Sequence, residues 1–264
     1  MTPENPGRLL LGVSSLAALA ILAAGCAVPA SGSSLSTHTS PKSQTAQKSQ
    51  ADRSLGPQPG NRLFPRTPAT RKTSDPVPAW AAAQLARVPA TSGQAVVVTA
   101  PSMSSTSDTV SLWARTGTGW TETGALMPGH NGEKGWSAHR TEGDLKTPTG
   151  VYTLTAAGGR LPDPGTRLRY QYSQNYFHTA GHFLGHNTFG VFNYVVAIDF
   201  NRVAGSQVTS TAQPWGEGPG GDIWLHVDNG APTLGCVTVA QAGMVTILKW
   251  LDPGQHPVIV LSAG

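Results

Sequence analysis

The sequence predicts a mainly β domain of sandwich or barrel type, with one or two packed helices, preceded by a disordered tail. Its 264 residues are 12% charged and include 31 Gly and 21 Pro, which excludes a coiled coil, a helical solenoid and a collagen. Short runs rich in β-branched residues alternate with turn residues from Gln94 onward. Only the segment 240–251 has a clear helical spacing of apolar residues.

Each predicted strand is a short apolar run between Gly, Pro, Ser, Thr or Asp residues. The predicted strands are 95–99, 109–115, 148–154, 194–200, 223–228, 236–239 and 258–261, with a further hairpin beginning at 117–120. The predicted helix 240–251 ends where Asp252, Pro253 and Gly254 follow, because proline cannot continue it. A second, shorter helix is predicted at 80–87.

The N-terminus has the pattern of an export signal, predicted as residues 1–25. Its apolar run, 9–24, would span about 24 Å as a helix, less than the hydrocarbon core of a membrane at about 30 Å. The run ends on small residues directly before Cys26, as a cleavage site does. This junction resembles the lipobox of bacterial lipoproteins, which implies a lipid on Cys26 and a place on the outer face of the cytoplasmic membrane. The alternative is an ordinary signal, with Cys26 lost or free.

Residues 26–75 are predicted to be a disordered tether, because they are rich in Ser, Thr, Pro and Gln and poor in branched aliphatics. Seven Lys and Arg against two Asp make the tether basic, whereas residues 76–264 hold ten Lys and Arg against eleven Asp and Glu. The predicted domain, 76–264, therefore carries no electrostatic signature of nucleic-acid binding. We expect a monomer attached to the membrane through its N-terminal lipid.

The densest chemical signal lies between Asp222 and Val239. Strand alternation puts Trp224, His226 and Asp228 on one face, and the turn composition of 229–232 predicts that the chain reverses there. Cys236 would then start a returning strand beside His226. An imidazole within hydrogen-bond reach of a thiol lowers its pKa and produces the reactive thiolate.

The residues before Cys236 are candidates for holding a substrate carbonyl. Gly235 lets a substrate approach the backbone, and the amides of Leu234, Gly235 and Cys236 could hold an oxyanion. Thr233 belongs to the same candidate oxyanion and substrate-binding segment. The alternative for Cys236 is a buried, inert small hydrophobe. However, once Cys26 is acylated or removed, Cys236 is the one thiol left in an exported protein, and a retained unpaired thiol of this kind favours a catalytic role.

Three segments of the chain resemble the bacterial L,D-transpeptidase family. They are Leu225-His226 followed by Pro232-Thr-Leu-Gly-Cys-Val237, the segment 146–152 (KTPTGVY), and the segment 191–201 (VFNYVVAIDFN). The resemblance covers about 94–262 and is that of a divergent, actinobacterial-type branch. It implies an enzyme without a cofactor that acts on peptidoglycan stem peptides in the cell wall.

The resemblance implies that Cys236 is the nucleophile, that His226 accepts its proton, and that Gly235 and its neighbours form the oxyanion site. The enzyme would expel the terminal D-Ala of a tetrapeptide stem and form a 3→3 cross-link, or act as a carboxypeptidase. Sensitivity to carbapenems is also implied. The chain departs from the common Ser-His-Gly-Cys pattern, because Leu234 replaces the second histidine. Asp228 could orient His226, or a backbone carbonyl could do so.

Two alternatives belong to other classes. His178, His182 and His186 are spaced by four, so on a helix they could bind zinc in a wall-directed peptidase. Glycines interrupt that segment, and the glutamate of an HExxH motif is absent. We expect no metal there. The other alternative is a tethered lipoprotein that binds peptidoglycan without catalysis.

Overall fold

The structure is a computed structural model that describes residues 76–117, 119–177, 182–183 and 186–264. The predicted mainly β architecture is confirmed. Two helices are present, α1 (Ala79–Leu85) and α2 (Gln241–Trp250). The strands are β1 (Gln94–Ala100), β2 (Ser107–Thr116), β3 (Gly119–Glu122), β4 (Met127–His130), β5 (Trp136–Ser137), β6 (Thr147–Pro148), β7 (Gly150–Gly159), β8 (Arg169–Tyr172), β9 (His182–Phe183), β10 (His186–Asn187), β11 (Val195–Ile198), β12 (Trp224–Val227), β13 (Val237–Val239) and β14 (Val258–Ala263).

Ten of these strands form one mixed sheet. Its order is β13-β12-β11-β7-β14-β1-β2-β3, with β4 beside the first half of β2 and β8 beside the second half of β7. The pairs β1–β14, β7–β8 and β12–β13 are parallel. The short strands β5 and β6 pair separately, as do β9 and β10.

The two ends of the sheet approach each other where β4 meets β13. The backbone N–H of His130 donates to the hydroxyl of Thr238 at 2.9 Å, so a side chain makes the link between the two strands. Gly129 fits there because it lacks a side chain: a Cβ on it would lie 1.8 Å from the carbonyl oxygen of Thr238. This approach gives the sheet a barrel-like form and places β13 beside β4.

The main core lies between the sheet and α2. Apolar side chains of the last two paired strands point into this core and pack with one face of α2. These residues are Leu225, Val227, Val237 and Val239 from the strands and Met244, Ile247 and Leu248 from the helix. The opposite face of β12 and β13 is therefore the one available to a functional site.

A second, smaller core fixes α1 on the other side of the sheet. Ala81 and Leu85 are buried against Trp113, and Trp80 meets the Trp113 ring edge-on with centroids 6.3 Å apart. The predicted short helix is thus confirmed.

The prediction of a hairpin between His226 and Cys236 is wrong. β12 and β13 run parallel, in a register that pairs Leu225 with Val237. The turn-rich segment 228–236 does not reverse the chain in place but carries it out to the β4 side, where Thr233 forms a parallel bridge with Gly132. The chain then returns to the N-terminal end of β12, so that β13 begins beside Leu225.

The predicted signal 1–25, the tether 26–75 and Cys26 lie outside the described residues. Among the helices of the described part, none is long and apolar enough to cross a membrane.

Candidate cysteine–histidine site

Cys236 and His226 lie on the same face of the last two paired strands, although the strands are parallel. The register pairs His226 with Thr238, and Cys236 precedes β13 by one residue. Alternation therefore puts both side chains on one face, one strand and two residues apart. A strand spacing of about 4.8 Å and a rise of about 3.3 Å per residue separate their Cα atoms by about 8 Å, a gap that two side chains can bridge.

The aromatic ring of Phe192 independently places the two side chains together. This ring contacts the imidazole of His226 at 5.3 Å and the indole of Trp224 at 5.2 Å between centroids. Cys236 packs in the same cluster as Phe192 and Trp224. The parallel crossover thus achieves the juxtaposition that the sequence predicted through a hairpin.

The sulfur of Cys236 is half-buried and held by two backbone groups. The N–H of Trp224 donates to Sγ at 3.4 Å, and the thiol donates to the carbonyl of Asp222 at 3.6 Å. The Trp224 amide would also donate to a thiolate, which favours the charged form. The sulfur is therefore fixed in position by backbone groups on two sides.

The imidazole of His226 is held by backbone groups of neighbouring residues. Its Nδ1 lies 3.0 Å from the carbonyl oxygen of Val227. A carbonyl can only accept, so Nδ1 donates in this contact, and the backbone of Val191 is a second hydrogen-bond partner that raises the pKa of the ring. A backbone carbonyl therefore orients this ring. No hydrogen bond joins His226 to Cys236 within the described part of the chain.

The resting pair is neutral, which corrects the prediction of a preformed thiolate. Burial raises the pKa of Cys236 to about 11, even though the Trp224 amide and the Arg140 charge favour the thiolate. Burial also lowers the pKa of His226 to about 4. Desolvation outweighs the hydrogen bonds at both groups, so at neutral pH the site holds a thiol and a neutral imidazole.

The turn that carries the nucleophile candidate, residues 233–236 and called here the Cys236 turn, is closed internally. The amide of Gly235 donates to the hydroxyl of Thr233 at 3.0 Å, and that hydroxyl donates to the carbonyl of Cys236 at 2.6 Å. Gly235 is therefore already used as a donor. In the described structure the amides of Leu234 and Cys236 donate to no other group, and Leu234 is exposed. These two amides are the better candidates for an oxyanion site.

Thr147, from the segment 146–152, anchors this turn. Its side chain is fully buried, and its hydroxyl donates to the carbonyl of Gly235 at 2.9 Å. The same oxygen accepts from the amide of Gly132 at 2.8 Å. Gly235 itself has φ +137°, and a Cβ on it would lie 2.9 Å from the carbonyl of Lys146. The hydroxyl of Thr147 thus holds the Cys236 turn against the start of the segment 146–152.

Asp228 binds a different histidine from the one the sequence suggested. Its Oδ1 lies 2.8 Å from Nδ1 of His130 and accepts from the hydroxyl of Thr238 at 2.7 Å. No hydrogen bond connects it to His226 among the described residues, although its charge raises the pKa of that histidine. Sequence reasoning missed His130, because it lies on the far edge of the sheet and nothing in its neighbourhood marks it.

A buried carboxyl lies beside this pair. Asp108 of β2 is 5% exposed, and neither of its carboxyl oxygens has a hydrogen-bond partner among the described residues. Burial and, secondarily, the charge of Asp228 raise its pKa to about 8. Asp108 is therefore largely protonated at neutral pH.

The helical spacing behind the zinc alternative is wrong. His182 and His186 lie in the short antiparallel strands β9 and β10, where they pair with Asn187 and Phe183. His178 lies outside the described residues. No cluster of three His, Cys, Asp or Glu side chains able to hold a metal is found in the described ranges.

The fold and the site define a mainly β domain that carries a cysteine–histidine pair where β12 meets the start of β13. The chain belongs to the YkuD family: the model of the L,D-transpeptidase catalytic domain matches residues 96–260, more than half of the 264 residues. This match confirms the family resemblance of the three segments. No curated protein matches the chain.

Two solved structures are similar to parts of the chain. Both are of the helical cell shape determining protein Pgp2 from Campylobacter jejuni, one of them a mutant form, and both are 14% identical to this chain. The TM-scores are 0.36 for the mutant and 0.32 for the other. Each alignment covers 64% of this chain and 47% of that chain, so this chain spans about half the length of those structures.

Proposed function

We propose that the protein is a peptidoglycan L,D-transpeptidase that transfers an acyl group through Cys236. The observation that carries the proposal is the placement of Cys236 and His226 on one face of β12 and the start of β13, inside a domain of the L,D-transpeptidase family. The proposed donor is a tetrapeptide stem, and the proposed acceptor is an amine of a neighbouring stem. No step in this reaction needs a cofactor.

In the acylation step, the thiol of Cys236 attacks the carbonyl carbon of the third stem residue. Nε2 of His226 takes the thiol proton as the carbon–sulfur bond forms, because the resting pair is neutral. The amides of Leu234 and Cys236 donate to the oxyanion. The tetrahedral intermediate then collapses: the amide bond to D-Ala breaks, and His226 returns its proton to the departing nitrogen.

In the transfer step, the acceptor amine attacks the thioester carbonyl and loses a proton to His226. The carbon–sulfur bond breaks and the sulfur regains the proton, so the thiol and the neutral imidazole are restored. The product is a 3→3 cross-link between two stems. If water takes the place of the amine, the same site gives a free carboxylate and acts as a carboxypeptidase.

The proposed place of action is the cell wall beside the outer face of the cytoplasmic membrane. The predicted signal and the lipobox-like junction at Cys26 support export and anchoring. We expect the full-length protein, expressed in bacteria, to partition into the detergent phase and its Cys26→Ala variant into the aqueous phase. Equal partitioning of the two would remove the lipid anchor from the proposal.

The function is tested by incubating the protein with purified muropeptides and analysing the products by mass. We expect loss of D-Ala and the appearance of 3→3 dimers, both blocked by iodoacetamide and unaffected by EDTA. Tripeptides without dimers would assign carboxypeptidase activity. Inhibition by EDTA with resistance to thiol reagents would favour the zinc alternative. Binding without turnover would make the protein a wall-binding lipoprotein.

A further inference from the structure

Arg140 lies directly behind the Cys236 turn, in the loop between β5 and β6. Its side chain is only 5% exposed. Nε donates to the carbonyl of Lys146 at 3.2 Å, and Nη1 donates to the carbonyl of Pro219 at 2.5 Å. A Cβ added to Gly235 would lie 3.3 Å from Nε of Arg140. The guanidinium therefore packs against the backbone of the residue that precedes the nucleophile candidate.

The guanidinium connects two further segments that surround the sulfur. Lys146 is followed by Thr147, which anchors the Cys236 turn through its hydroxyl. Pro219 begins the segment that leads to Asp222, whose carbonyl accepts from the thiol. Two hydrogen bonds from one planar group thus hold both segments against the turn. A lysine has a single nitrogen and cannot reproduce this fork.

The guanidinium also supplies a positive charge close to the sulfur. In the described structure, Arg140 is the cation whose charge favours the thiolate of Cys236, and the carboxylate of Asp222 opposes it. Glu142 and Asp144 lie 3.5 and 4.0 Å from the guanidinium and offset part of its charge. Glu142 is 65% exposed, so water screens its contribution.

The neutral histidine leaves the negative charge on the sulfur to be stabilised by other groups. His226 is uncharged at rest and cannot stabilise a thiolate before it has accepted the proton. During proton transfer the sulfur becomes negative in a largely dehydrated site, where a fixed nearby charge acts strongly. The guanidinium is held there by its hydrogen bonds, so no rearrangement is needed when the negative charge develops.

We propose that Arg140 is a positioning residue that holds the Cys236 turn and stabilises the developing thiolate. The proposal rests on the proposed function in that Cys236 is taken as the nucleophile. It adds a residue outside the cysteine and histidine segments, at a distance of 96 positions along the chain from Cys236.

The test measures the rate at which iodoacetamide alkylates Cys236 as a function of pH, in the folded full-length protein carrying Cys26→Ala. Arg140→Gln removes the charge and keeps some donors, whereas Arg140→Lys keeps the charge and loses the fork. Arg169→Gln, an exposed arginine in β8, is the control for loss of one positive charge elsewhere. Near-UV circular dichroism checks that each variant is folded.

We expect Arg140→Gln to shift the rate profile by about one pH unit to higher pH, a roughly tenfold slower reaction at neutral pH. Arg140→Lys should recover most of that shift, and Arg169→Gln should follow the parent protein. A merely structural role would lower the thermal midpoint of Arg140→Gln without moving the pH profile. Superimposable profiles of the parent and Arg140→Gln would overturn the proposal.

If Arg140→Gln does not fold, the Arg140→Lys variant decides the test. An alkylation profile within a few tenths of a pH unit of the parent profile supports the proposal, and a shift of a full pH unit overturns it. Alkylation needs no muropeptide, so this test is independent of turnover. A shifted profile together with inactivity on muropeptides would mean that the proposed function fails while the role of Arg140 stands.

Discussion

Replacing Thr147 by valine tests whether one buried hydroxyl holds the Cys236 turn in place. Valine has nearly the same shape but no donor or acceptor. It would leave the carbonyl of Gly235 and the amide of Gly132 without their bonds of 2.9 and 2.8 Å, in a site closed to water. Each buried polar group left unpaired costs about 1–3 kcal/mol. Because the two losses share one site, we expect the free energy of unfolding to fall by about 2–4 kcal/mol.

Urea unfolding followed by tryptophan fluorescence measures this loss, with Thr147→Ser as the matched control. Serine keeps the hydroxyl, so its loss should be clearly smaller than that of valine. The freed turn should also change the alkylation rate of Cys236 in Thr147→Val but not in Thr147→Ser. Equal unfolding free energies for the two variants would refute the reasoning, since the hydroxyl would then contribute nothing.

Three further predictions concern the titrating groups. Because the pKa of Asp108 is raised to about 8 in the folded state, this group binds more protons in the native protein than in the unfolded chain between about pH 4 and 8, so its contribution to stability falls over that range. Urea titrations at several pH values should show that Asp108→Asn abolishes this fall. Parallel plots of unfolding free energy against pH for the parent and the variant would contradict the prediction. Asp228→Asn removes a charge that raises the pKa of Asp108, so the fall should end at lower pH; an unmoved end would exclude that coupling. The pKa of His226 is lowered to about 4, so its own contribution to stability rises between about pH 4 and 6.5 and offsets the opposite change from Asp108 over that range. His226→Gln should flatten this rise and slow acylation by about 10²–10⁴-fold, whereas an unchanged rate would mean that another group takes the thiol proton.

The strands with β-branched runs and the long helix could be predicted from sequence, because local pattern determines them. The strands β4 and β8 could not. Their sequences, Met-Pro-Gly-His and Arg-Tyr-Gln-Tyr, lack the apolar alternation of a strand, and they form because a neighbouring strand offers free backbone groups. A strand that forms because of backbone pairing with a distant segment has no signal in its own sequence.

The direction of β13 shows the same limit. Residues 229–232 have turn composition, which predicts a reversal. The nine residues 228–236 are long enough to return the chain to the start of β12, and the bridge between Thr233 and Gly132 holds that path. An antiparallel and a parallel β13 both put Cys236 and His226 on the same face of the sheet. The pairing of these two residues was therefore predicted although the predicted strand direction was wrong.

The chemical state of the site depends on burial, which spacing does not reveal. The motif suggested a thiolate beside an imidazole, whereas desolvation keeps both groups neutral. Arg140 and His130 reach the site from segments that carry no recognisable pattern. The residue types of the site could therefore be predicted, and its electrostatics could not.

Trapping the acyl-enzyme tests the central claim most directly. The protein is mixed briefly with a tetrapeptide muropeptide, quenched in acid, digested and analysed by mass spectrometry. We predict a thioester of the stem tripeptide on the peptide that contains Cys236, together with one free D-Ala per adduct, and neither product with Cys236→Ala. Release of D-Ala by Cys236→Ala at the rate of the unmodified protein would contradict the account.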